Sequence, residues 1–167
     1  MSQIIAISGS RTFPHLDFVK LILHMIKETK ASVLVGFNPK TRRPEGVDCT
    51  VYDYATKIGI HVTTYPAVWV VNGRVNKGAG MIRNLQMIEA ASHVMAFWDT
   101  RDPENSRGTA HAIVESHMRG KLFRLYPSEP KYNDDLETVL QMAYKVRHQK
   151  YVPLHTPSSG PLPQECP

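Results

Sequence analysis

Apolar residues in this chain gather into short unbroken runs, separated by longer stretches in which they recur every three or four positions. "QIIAIS" (3–8), "SVLVGF" (32–37), "HVTTYPA" (61–67), "HVMAFW" (93–98) and "LFRLYP" (122–127) have strand length and are rich in β-branched and aromatic residues. Such near-continuous runs predict strands buried on both faces. Between them, Phe18, Leu21, Ile22, Met25 and Ile26 mark one face of a helix, leaving Val19 and Leu23 off the main stripe. "GVDCTVYDYATKIG" (46–59) reads as a helix closed by Gly59. Met81, Leu85 and Ile88 mark a helix over 79–91, and Ala110, Ile113, Val114 and Met118 mark another, ended by Gly120. Leu136, Val139, Leu140 and Ala143 stripe a last helix. Strands alternating with helices imply right-handed crossovers. The fold expected is α/β: a Rossmann-like three-layer domain with a mainly parallel five-stranded sheet and helices on both faces.

The segment 1–150 forms that domain, and 151–167 reads as a disordered or loosely draped tail. "VPLHTPSSGPLPQECP" carries five of the chain's twelve prolines and little to bury. With 167 residues, 42% hydrophobic and 21% charged, the composition is that of a globular protein of one domain. No apolar run approaches the roughly 18 residues that span a bilayer. The N-terminus lacks the pattern of a secretory signal, so a cytoplasmic setting is expected, with no membrane partner. Cys49 and Cys166 stand far apart, without metal-like spacing, so neither a disulfide framework nor a metal site is expected. His111 and His117 do not form H-E-x-x-H, and neither a P-loop nor a G-x-S-x-G elbow is present. The net charge of +5 suits anionic partners. Without a basic run or interleaved aromatics, nucleic acid is a minor expectation.

In an open parallel sheet, ligands bind beyond the carboxyl ends of the strands, where strand order reverses. Four loops would meet there: "SGSRTF", "NPKTRRPEGVD", "NGRVNKGAGMIRN" and "DTRDPENSRGTAH". Each offers small residues, which let backbone N–H groups approach a phosphate, and an arginine that can fork onto one. Gly9, Ser10, Arg11, Gly78, Gly80, Arg83, Gly108 and Thr109 could thus converge on one anionic ligand. Other readings stay open: the glycines as plain turns, Arg83 as a solvated helix residue, Asp48 as an early-helix acid favoured by the dipole. Trp69 and Trp98, at strand ends, serve either as packing residues or as platforms for a base.

"ISGSRTF", "GVDCTVYDYATKIG", "PAVWVVNGRVNKGAGMIRNLQMIEAASHVMAFWD" and "RGTAHAIVESHMRGK" together resemble the SLOG superfamily (Smf/DprA and LOG proteins). The nearest branch is the YspA-like, YpsA-related one, and the likeness runs from about residue 3 to 126. The resemblance implies a Rossmannoid fold binding nucleotide-derived ligands. LOG members are phosphoribohydrolases, others sense ADP-ribose-like signals in antiphage defence, and Smf/DprA members bind single-stranded DNA. On this likeness Ser8 through Arg11 and Arg83 face the phosphates, Gly108 and Thr109 form a second phosphate turn, and Asp48 and Asn84 hold ribose hydroxyls. Trp98 joins the candidate ligand residues, and no cofactor is implied.

The chain departs from the hydrolase pattern P-G-G-x-G-T-x-x-E. "NSRGTAHAIVES" lacks the paired glycines, and Glu115 lies six residues beyond Thr109, about 9 Å along a helix. Asp99 and Glu45 are the other candidate catalytic acids. The loop "GFNPKTRRPEGVD", with Lys40, Arg42 and Arg43, is either a basic flap over the ligand or a solvated insertion. The first expectation is a homo-oligomeric protein that binds a phosphorylated nucleotide derivative of the ADP-ribose or cyclic ADP-ribose type. It would sense or sequester that signal, as a phage counter-defence protein does. The alternatives are a nucleotide N-glycosidase and, behind it, a single-stranded DNA binder.

Overall fold

Five parallel strands stand in the order β3-β2-β1-β6-β7: β3 (Val62–Thr64), β2 (Ser32–Val35), β1 (Ile4–Gly9), β6 (His93–Trp98) and β7 (Leu122–Pro127). The computed structural model describes residues 2–151 and 153; the remainder of the expected tail lies outside the described residues. Alternate residues of each strand enter opposite faces of the sheet. Ile5, Ile7, Val33, Val35, Met95 and Phe97 face α1 (Leu16–Glu28) and α2 (Val47–Lys57). On the other face, Ala6, Leu34, Val94, Ala96 and Trp98 meet α3 (Ala79–Ala90), α4 (Arg107–Met118) and α5 (Leu136–Val146). The Rossmann-like α/β fold is therefore present, with both faces covered. No helix among the described residues is long and apolar enough to cross a membrane.

The chain builds β1, β2 and β3 outward in one direction, then returns through α3 to place β6 on the other side of β1. Strand order reverses between β1 and β6, so the loops after these two strands diverge and leave a crevice. Their backbones remain tied at its base: Ser10 N–H donates to the Phe97 carbonyl (2.9 Å) and Asp99 N–H to Ser10 Oγ (2.9 Å). Gly9 ends β1 because α2 arrives there. A Cβ on Gly9 would sit 2.3 Å from Val47 Cβ, and Val47 is wholly buried.

The apolar stripe of α1 is turned from its expected phase. Val19, Ile22, Leu23 and Ile26 are buried, whereas Leu21 and Met25 are exposed and Phe18 lies at the margin. Both phases satisfy the i, i+3, i+4 spacing, and only the sheet's position selects between them. Val19 and Leu23 consequently fill the core of the domain. Leu21→Gln and Met25→Gln are each expected to shift unfolding free energy by less than about 0.5 kcal/mol, measured by urea titration. Met81, Leu85 and Met118 are likewise exposed; α3 instead buries Ala79, Asn84, Met87 and Ile88. The polar Asn84 on that buried face belongs to the site.

One element was not expected. Residues 70–75 form a small antiparallel hairpin, β4 (Val70–Val71) and β5 (Arg74–Val75). Its turn, Asn72-Gly73, has φ of 53° and 76°, the left-handed pair that a two-residue hairpin turn requires. The signal "VVNGRV" was present in the sequence, hidden inside a stretch that reads as a single glycine-rich loop.

Candidate functional site

At the reversal point lies a polar cavity of about 210 Å³. The end of β1 gives Ser8 and Gly9, and the loop after it Ser10 and Arg11; α2 gives Asp48; α3 gives Arg83 and Asn84; the start of α4 gives Gly108 and Thr109. Four chain segments expected to converge thus do so. Ile7, Gly36, Pro44, Met87, Asn105 and Ser106 complete the lining. The N-terminus of α4 follows directly on a 3-10 turn (Pro103–Ser106) and carries no side-chain cap, and Gly108 and Thr109 of its first turn line the cavity.

Asp48 sits in the first turn of α2 and is only 6% exposed. Its Oδ1 is buried with no hydrogen-bond partner, the sole side-chain atom in that condition among the described residues. Burial raises its pKa to about 7; the Arg83 charge and the Gly9 backbone N–H act in the opposite direction. An unpartnered buried acceptor is costly, and it has a physical reason where a ligand completes it.

Arg83 is held inside the same wall. Its Nε donates to Asn84 Oδ1 (3.0 Å) and an Nη to the Tyr65 carbonyl (3.3 Å). Burial lowers its pKa, and the Asp48 charge raises it, although the two form no direct ion pair. The guanidinium passes over Gly36, where a Cβ would lie 2.5 Å from Nη1. Glycine at 36 is therefore what admits the arginine. Asn84 braces it: its Nδ2 donates to the Gly108 carbonyl (3.0 Å) and lies 3.3 Å from His111 Nδ1. With its amide engaged on both sides, Asn84 joins α3 to α4 and orients Arg83. Burial, aided by Arg147, lowers the His111 pKa to about 4, so the ring is neutral at pH 7.

Several expected residues lie elsewhere. Trp98 is fully buried under α4, its Nε1 donating to the Ser106 carbonyl (3.1 Å), and no ring face is open to a base. Gly78 and Gly80 do not line the cavity. Gly78 precedes α3, its N–H donating to Asn76 Oδ1 (3.1 Å), and Gly80 lies against Trp69. Within "NKGAGMIRN" (76–84), expected to hold a phosphate, the glycines form a helix entry, and the stretch reaches the cavity through Arg83 and Asn84.

None of the three acids considered for catalysis lines this cavity, and Glu45 alone lines the neighbouring one. Asp99 accepts hydrogen bonds from Thr12 Oγ1 (2.6 Å), Ser128 Oγ (3.0 Å) and the Arg101 Nε (2.9 Å) and backbone N–H (3.1 Å). Arg101 first, then the hydroxyls and backbone N–H, hold its pKa well below the usual carboxylate range. It works as a clamp between the ends of β1, β6 and β7. Glu115 pairs with Arg119, and Glu45 with Arg43.

The basic loop divides. Arg42 turns to α2, where it pairs with Asp53 at 2.5 Å. Arg43 lines a neighbouring cavity of about 520 Å³, together with Trp69, Asn38 and the shared residues Arg11, Pro44 and Arg83. Trp69 on this wall is half exposed, and no reading of strand ends distinguished it from Trp98. A further cavity of about 830 Å³ between Phe13–Phe18 and Arg124–Leu136 is lined mainly by apolar and aromatic groups and holds none of the expected ligand residues. Among the described residues no group of three or more His, Cys, Asp or Glu side chains could hold a metal ion. No protein-family model, curated protein or solved structure matched the chain.

Proposed function

We propose that the protein binds a phosphorylated, nucleotide-derived small molecule at the β1/β6 crevice and holds it intact, as a sensor or sequestering protein. One observation carries the reading: the unpartnered Asp48 Oδ1, buried beside Arg83 in a polar cavity at the sheet's reversal point. A sugar hydroxyl would donate to Asp48, while the phosphate would meet Arg83, the β1 loop and the uncapped start of α4. The sequence likeness to SLOG proteins supports the same ligand class.

A second reading, hydrolysis of an N-glycosidic bond, gains from Asp48 as well. A carboxyl with a pKa of about 7 is poised for general acid or base work near neutrality. The DNA-binding reading rests on net charge alone. To decide, the purified protein is incubated with AMP, NAD, ADP-ribose and cyclic ADP-ribose isomers, and its melting temperature is measured. A ligand at a hundred times its Kd should add about 2.7 kcal/mol of stability. The protein is then denatured and the released compound chromatographed. Recovery of intact ligand supports a binding protein; free base plus ribose phosphate would establish the hydrolase and displace the first reading.

A further inference from the structure

We infer that the outer cavity is a second subsite, in which the planar heterocyclic base of the ligand lies against the indole of Trp69. The ligand then spans both cavities. This rests on the reading of the inner cavity as a site for a phosphorylated sugar. At about 210 Å³ the inner cavity falls below the roughly 300 Å³ at which pockets for whole small molecules begin. A nucleotide-sized ligand entering it must extend outward. The outer cavity, about 520 Å³, shares three wall residues with the inner one: Arg11, Pro44 and Arg83.

Of the chain's two tryptophans, Trp98 is fully enclosed, whereas Trp69 is 52% exposed and belongs to none of the core clusters. The β4–β5 hairpin mounts it, its carbonyl accepting from Asn76 N–H at 2.6 Å. The far edge of the ring lies along α3, where a Cβ on Gly80 would be 3.5 Å from Cη2. An aromatic face held on a short hairpin beside a cavity is a sequence-tolerant platform for a base.

The junction between the cavities carries the charge. Arg83 stands on one side, and Arg11, which forms no ion pair among the described residues, lines both spaces. Two arginines that line both cavities suit a diphosphate link more than a single monoester. The ligand class that fits is a nucleoside joined through a diphosphate to a second sugar: base on Trp69, diphosphate between Arg11 and Arg83, second sugar at Asp48.

The full chain is titrated calorimetrically with ADP-ribose and with ribose 5-phosphate, using the wild type, Trp69→Ala and Trp69→Phe. Both probes should bind the wild type. Trp69→Ala should weaken ADP-ribose by about ten- to thirtyfold and leave ribose 5-phosphate within twofold, with Trp69→Phe largely restoring affinity. ADP-ribose alone should quench tryptophan emission, and Trp69→Phe should lose the quench. Melting temperature checks that the exposed substitution leaves the fold intact. ADP-ribose affinity unchanged in Trp69→Ala would overturn the outer subsite while leaving the inner one standing. Equal weakening of both probes would reduce Trp69 to a support of the inner cavity and also overturn it. If neither probe binds the wild type, the inner site's reading fails, and the outer subsite fails with it.

Discussion

Asp48→Asn is expected to raise the melting temperature of the ligand-free protein at pH 8 by about 4–8 °C and to weaken ligand binding. A carboxyl displaced from 3.8 to about 7 is ionised at pH 8 at a cost on the order of 4 kcal/mol. The asparagine amide keeps the shape and removes the charge, but it leaves polar atoms without full partners, which returns about half of the gain. A net stabilisation of about 2 kcal/mol remains, and at this chain length each kcal/mol moves the midpoint by roughly 2–4 °C.

The pH dependence has a definite sign. Because burial raises the folded-state pKa above the unfolded one, the native state binds more protons between pH 3.8 and about 7. Asp48 therefore favours the native state fully below pH 3.8, and that contribution is lost as pH rises through about 7. The advantage of Asp48→Asn should grow across this window and level off above it. Ligand affinity should meanwhile fall by about ten- to a hundredfold, since a hydrogen bond to a charged group contributes about 1.5–3 kcal/mol. A variant that is both more stable and poorer at binding marks a residue kept for its ligand. Destabilisation at every pH with unchanged affinity would refute this role for Asp48.

Arg83 offers the second large effect, and Gly36 offers an independent route to it. Arg83→Ala should lower affinity for a phosphorylated ligand by at least tenfold, and by about a hundredfold if the buried guanidinium meets the phosphate directly. That loss alone does not distinguish contact from support. Gly36→Ala does, because the three atoms nearest the added Cβ all belong to the end of the Arg83 side chain. The flexible guanidinium can swing away at small cost to the fold, so melting temperature should hardly change while affinity falls as in Arg83→Ala. Calorimetric titration of both variants and of the double variant decides the matter. If the double variant is no worse than either single one, glycine and arginine act as one unit; full additivity would separate them.

The contrast between α1 and Asp48 shows what kind of fact a sequence carries. The run "HVMAFW" marked a strand with the bounds observed, because both faces of a central strand are buried and nothing interrupts the apolar signal; "LFRLYP" kept its bounds as well, although β7 is an edge strand with Phe123 and Arg124 exposed. The alternation of strand and helix likewise fixed the α/β class, since crossovers have one hand. The loops carrying the site were legible for the same reason: in such a sheet they must gather at one edge.

Phase and partner choice were not legible. The α1 sequence offers two overlapping apolar stripes, and only the sheet beneath decided that Val19 and Leu23 go inward while Leu21 and Met25 face solvent. Two tryptophans at strand ends look alike until α4 covers Trp98 and the hairpin leaves Trp69 at a cavity. Asp99 stood as a candidate acid until Thr12, Arg101 and Ser128, distant in sequence, saturated its oxygens. Asp48 and Arg83 were named from the sequence, but their burial and the space over Gly36 arise from elements far apart along the chain. Local pattern thus determined the main elements, their order and the sheet edge at which the polar cavity lies. Tertiary packing decided which side chains there remain unsatisfied, because desolvation and hydrogen-bond completion depend on neighbours that spacing along the chain does not specify.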